Sequence, residues 1–234
     1  MSSATGGLKE LHQVHLDLDA CHKQLENGPR RIAAFEKKVE KKQAEIEAHK
    51  AHITSVQKTA DDKNLQIRTN EQTVADTKAK LNQAKSNVEF DIFKSQIANA
   101  ESANETLEDE YLELLEQVDA EKIRLEELNG ELKDAESALK KAKDDFADLE
   151  PQVKNQVAEL EGELKEAEKC IPTKLMEQYR RIVSAHGPSS LAQVDGDACS
   201  ECFVELSPQN LVEIRTATIV FCKSCGRILY GAES

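Results

Sequence analysis

The 234 residues carry 32% charged and only 4% aromatic side chains, no tryptophan, and a net charge of -13. This balance argues against one large globular core and leaves either disorder or long helices with a narrow apolar seam. No apolar run approaches the roughly 18 residues that a membrane span needs, so a cytoplasmic protein is expected.

Residues 1–7 have neither the basic start nor the apolar core of a secretion signal and read as a disordered leader. From there to residue 171 the pattern is that of an antiparallel coiled-coil hairpin, which makes the fold class mainly α. Every seventh residue from Leu11 is apolar, through Leu18, Leu25, Ile32, Val39, Ile46, Ile53, Ala60, Ile67, Val74, Leu81 and Val88. A spacing of 3.5 residues held this long predicts a left-handed supercoil against another helix. The companion seam mixes Val14, Phe35, Val56 and Ala84 with Lys42, His49, Lys63 and Asn70.

The turn is placed near 82–87, where Ser86-Asn87-Val88-Glu89 has the form of a capping box. The second arm keeps two seams, interrupted by Asn104 in one and by Glu121, Gln156 and Glu163 in the other. Residues 8–85 sum to +3 and residues 87–186 to -13, so the arms have complementary charge. Folding back around the turn brings residue i near residue 171 - i, with Lys37, Lys38, Lys41 and Lys42 facing Glu126, Glu127, Glu131 and Asp134. Such pairs contribute only about 0.2 to 1 kcal/mol each and act mainly on alignment. A first arm of this length makes a rod on the order of 115 Å long at 1.5 Å rise per residue. Gly28-Pro29 and Pro151 are expected to bend it.

Residues 172–187 read as a connecting helix, with Pro172 in its first turn and Gly187-Pro188 as its stop. Residues 188–234 contain the one constellation with specific chemistry. Cys199-Ser200-Glu201-Cys202 is followed, after 19 residues, by Cys222-Lys223-Ser224-Cys225-Gly226. Four thiolates at this spacing form the closed tetrahedron of a structural zinc ribbon, with one Zn2+ and no open position for water or substrate. Redox-active dithiols are the competing reading. Short strands are expected at Leu191–Val194 and Thr216–Val220, and a helical turn at Ser207-Pro208. So small a domain needs its metal to fold. His12, His15, His22, His49 and His52 read as ordinary helix residues rather than a second metal site. With no phosphate-cradling glycine loop and no nucleophile elbow, an enzyme is not expected.

From Cys222 through Gly226-Arg227-Ile228-Leu229-Tyr230, the chain resembles the bacterial four-cysteine zinc-ribbon proteins with an N-terminal coiled-coil hairpin. The early Gly-Pro, the polar turn before Glu89-Phe90, Ile171-Pro172 and Tyr179-Arg180-Arg181-Ile182 extend the likeness along nearly the whole chain. Val88 departs from it, standing where members commonly have lysine. The resemblance implies a cytoplasmic adaptor or chaperone-like protein. Its partners would be other proteins, with some members linked to flagellar or type III export components or to an alternative sigma factor. Phe90, Ile92 and Phe93 form a candidate partner contact at the hairpin tip, or else close the end of the coil. Dimerisation of hairpins is left open.

The alternative is a nucleic-acid-binding ribbon serving transcription or RNA control, with Arg215, Lys223 and Arg227 as its local patch. Charge disfavours it, because residues 187–234 sum to -3 before the thiolates ionise. A plain structural spacer is the third reading.

Overall fold

The computed structural model describes residues 4–216 and 218–231. The chain is mainly α: α1 runs Ala4–Leu81 and α2 runs Asn87–Ala167. A single 3-10 turn, Glu168–Cys170, leads on to α3 at Met176–His186. The C-terminal part holds β1 (Leu191–Asp195), β2 (Ala198–Cys199), α4 (Pro208–Arg215), β3 (Val220–Phe221) and β4 (Ile228–Tyr230). Two compact units result, residues 34–140 and residues 1–33 with 141–234, and both long helices contribute to each.

In the unit of residues 34–140 the arms run antiparallel. Ile53 and Val56 pack with Val118 against half-buried Leu114 and Leu125. The apolar seam is buried at Val39, Ile46, Ile53, Ala60, Ile67 and Val74. Val88 is the exception: it falls beyond the turn, in α2, and is 69% exposed. Three of the four polar members of the companion seam, Lys42, His49 and Lys63, find acidic partners on the other arm. Lys42 Nζ lies 2.6 Å from Glu131, His49 Nε2 2.9 Å from Glu121, and Lys63 Nζ 2.5 Å from Glu110. Lysine and histidine interrupt one seam where glutamate can reach them, so these three levels are matched rather than buried alone. Asn104 is 8% exposed and its Oδ1 has no hydrogen-bond partner among the described residues.

At the turn, the Glu89 amide donates to Ser86 Oγ, and Glu89 Oε2 accepts from the Lys85 amide. The reciprocal arm of the cap therefore reaches one residue earlier than the box pattern predicts.

The other unit corrects several expectations. The disordered leader does not extend to Gly7, because Ala4–Gly7 belong to α1; residues 1–3 lie outside the described residues. Leu8 and Leu11 bury there, and Gly7 packs so closely that an added Cβ would stand 2.9 Å from Cys170. Both helices continue through their prolines, Pro29 and Pro151, as the heptad count through those positions predicts. Gly28 is the space for Phe146 rather than a break: a Cβ there would come within 2.1 Å of the ring.

Pro172 does not start the connecting helix. It begins a turn in which the Leu175 amide donates to the Pro172 carbonyl, and α3 starts four residues later. Gly187, with φ +57, ends α3.

The four strands form one sheet in the order β2-β1-β4-β3, with β1 and β4 parallel and the outer pairs antiparallel. The strand expected at Thr216–Val220 is reduced to Val220–Phe221, since Thr216 caps α4 and Ala217 lies outside the described residues. Strand β4 falls on Ile228-Leu229-Tyr230, part of the motif that carries the family resemblance.

Strand alternation gives the sheet two buried faces. Ala192, Val194 and Leu229 join the core around the cysteines, with Leu206, Ile214 and Val220. Leu191, Ile228 and Tyr230 turn the other way, onto Leu8 and Leu11 of α1, Ile171, and Tyr179 of α3.

Candidate metal centre and its dock

Two hairpin-like knuckles build the metal centre, and their backbone bonding is equivalent. The Phe203 amide donates to the Cys199 carbonyl and the Cys199 amide to the Val204 carbonyl, at 2.8 and 3.1 Å. The Gly226 amide donates to the Cys222 carbonyl and the Cys222 amide to the Arg227 carbonyl, both at 2.8 Å. Each closure aims two sulfurs at one point. The four Sγ atoms lie within 4.8 Å of one another, with Cys199 and Cys225 at 3.9 Å and Cys202 and Cys222 at 3.6 Å.

Sulfurs at about 2.3 Å from a tetrahedral zinc stand about 3.8 Å apart, so the arrangement fits one such ion. Among the described residues this is the one group of metal-ligating side chains that converges so closely. All four ligand positions come from protein, which makes the zinc structural.

Electrostatics grade the thiols. Burial pushes the Cys199 thiol up to about 12 and raises Cys222 as well. At Cys225 burial acts the same way but is outweighed by hydrogen bonds from the Arg227 backbone and side chain and from neighbouring thiols, which lower it to about 7.

Arg227 is the supporting residue that motif spacing could not reveal. Its Nε donates to the Ser189 carbonyl at 2.7 Å, its guanidinium lies 3.7 Å from Glu201, and its side chain is 17% exposed. These contacts withdraw it from the patch of Arg215, Lys223 and Arg227, of which only Arg215 and Lys223 are exposed.

The back of the sheet and α3 each dock on the start of α1 through a histidine–tyrosine pair, the sheet by Tyr230 and α3 by Tyr179. A hydrogen bond of 2.8 Å joins His12 Nδ1 to the Tyr230 hydroxyl, and one of 2.7 Å joins His15 Nε2 to the Tyr179 hydroxyl. Tyr179 and His15 are 1% and 8% exposed. The two histidines are functional parts of the dock and not a second metal site; their heptad position beside Leu11 was the available signal.

Desolvation lowers the His15 pKa from its ordinary 6.5, while Glu168 opposes the shift and His12 adds to it. The unfolded chain therefore binds more protons just below pH 6.5, and the His15 contribution, complete above that pH, is lost as pH falls through the lowered folded value. With zinc saturating, acidification from pH 7 to 5.5 should reduce the melting temperature of this unit less in His15→Gln than in the parent chain. Equal loss in both proteins would assign the sensitivity elsewhere.

The combination of a four-cysteine ribbon with two long helices defines the class as a zinc-ribbon protein on a helical carrier. Residues 198–229 match the family described as a C4-type zinc ribbon domain. No curated protein matches the chain.

The chain shares its fold with solved structures from several bacteria. CT398 from Chlamydia trachomatis has a TM-score of 0.76 at 15% identity, covering 98% of each chain. The HP0958 protein from Helicobacter pylori scores 0.55 at 20% identity, covering 100% of each. A protein from Mycobacterium smegmatis scores 0.53 at 14% identity, covering 99% of this chain and 100% of that one.

Of the three residues singled out near the turn, Phe90 and Ile92 are 46% and 50% exposed, and Phe93 is half-buried. No helix among the described residues is long and apolar enough to cross a membrane.

Proposed function

We propose that this chain is a non-enzymatic, cytoplasmic adaptor that binds other proteins, with chaperone-like action on its partner. The observation that carries the reading is the unpartnered apolar surface at the start of α2, where Val88, Phe90 and Ile92 are all about half exposed or more. A chain so poor in aromatics gains no folding stability from leaving Phe90 in water. The closed set of four thiolates supports the non-catalytic part, since it leaves no position for a reacting ligand. Some members of the family that the chain resembles are linked to flagellar or type III export components or to an alternative sigma factor, and these are the partner classes to try first.

The test substitutes the exposed residues and spares half-buried Phe93. Phe90→Ser with Ile92→Ser should weaken binding of an identified partner by about tenfold, the cost of losing an apolar anchor. Helix content and melting temperature should stay within experimental error of the parent. Undiminished binding would remove the turn from the contact surface.

A further inference from the structure

We propose that Phe203 is the anchor of a second docking surface, on the ribbon, that takes a cationic amphipathic segment of a partner protein. The inference deepens the adaptor reading and rests on it for the class of partner. It arises from comparing the two knuckles. Their hydrogen bonds put the residue after the second cysteine of each pair in the left-handed region, with φ +76 at Gly226 and φ +59 at Phe203. Glycine occupies that region freely, whereas a bulky L-residue there is an outlier held against steric cost.

That cost is not offset by burial. The Phe203 side chain is 81% exposed and belongs to neither of the two core clusters of its unit. Beside it Val204 is 44% exposed, so the knuckle offers two adjacent apolar residues to solvent. A strained backbone position occupied by a solvent-facing aromatic is the form of a binding anchor rather than a folding element.

Charge decides what the anchor meets. Glu201 and Glu205 flank the pair and are both exposed. Residues 187–234 hold six acidic and three basic side chains; Arg227 and Glu201 engage each other, which leaves five acidic side chains against two basic ones. A loaded centre of four thiolates and one divalent zinc adds two further negative charges. Lys223 and Arg215 remain as exposed cations, outnumbered. An apolar ring framed by negative charge suits a segment with apolar and lysine-rich faces, and it repels phosphate backbones.

The experiment uses the full zinc-loaded chain and titration calorimetry at physiological ionic strength. The probes are a synthetic amphipathic helical peptide of leucine and lysine, its glutamate counterpart, and single-stranded oligothymidylate. The variant is Phe203→Asn, because asparagine tolerates left-handed φ without the ring. The expected results are binding of the lysine peptide alone, weakened about tenfold in Phe203→Asn, and a ribbon that melts no lower than the parent.

Three results would overturn the proposal: equal peptide binding by both proteins, a lower ribbon melting temperature in the variant, or oligothymidylate binding or self-association that depends on Phe203. The variant altered at Phe90 and Ile92 serves as the control. It should bind the lysine peptide as the parent does, so failure here leaves the adaptor reading to its own test at the turn.

Discussion

Cys222→Ser should abolish stoichiometric zinc binding and unfold the ribbon while preserving most of the helical circular dichroism signal. Cys222 is 3% exposed and holds two roles, one sulfur of the tetrahedron and one member of the core with Leu206, Ile214 and Val220. Apparent binding free energies for structural zinc are about 10 to 16 kcal/mol near neutral pH, which exceeds what a sheet of two- to five-residue strands can supply by burial. Losing one thiolate of four leaves an open, weakened site, so most of that stabilisation disappears.

The 78 and 81 residues of α1 and α2 owe their order to the seam between them and lie largely outside the metal core. The measurements are metal content by mass spectrometry of the native protein and amide exchange across residues 191–230. Retention of one tightly bound zinc with slow exchange in Cys222→Ser would refute the closed four-cysteine centre.

The second large effect is expected at the opposite face of the same sheet. Leu11 is 0% exposed and sits with Tyr179, Leu191 and Ile228 in the dock. Leu11→Ala removes three heavy atoms from a packed interior and should destabilise this unit by about 2 to 5 kcal/mol. Exchange in α3 and β4 should accelerate, whereas zinc stoichiometry should hold, because the ligands face the other core. If zinc were lost together with the dock, the two faces would have to be treated as one cooperative core.

These expectations mark what was readable before any coordinates. The seam residues from Leu11 to Val74 were visible because a heptad repeat is a local property that every turn of helix repeats. The ligand set was equally visible, since each Cys-x-x-Cys encodes its own knuckle. What escaped was set by partners distant in sequence. Gly28 looks like a break until Phe146 is seen above it. His12 and His15 look like helix surface until Tyr230 and Tyr179 are brought to them over more than 160 residues. Arg227 reads as a phosphate contact until Ser189 and Glu201 claim it. The Phe203 anomaly was legible in principle, because lining up the two cysteine pairs sets phenylalanine where its twin has glycine.

The matched polar levels along α1 and α2 also carry information about alignment. A zipper of aliphatic teeth alone slides by one repeat at little cost, since leucine replaces leucine at every step. Lys42, His49 and Lys63 meet Glu131, Glu121 and Glu110 at fixed heights. A slip of one repeat would part those groups from their glutamates, so they serve as index notches that favour a single phase of pairing. The loop joining the arms is thereby held at a defined height, and Phe90 and Ile92 face outward at the same place in every copy of the molecule.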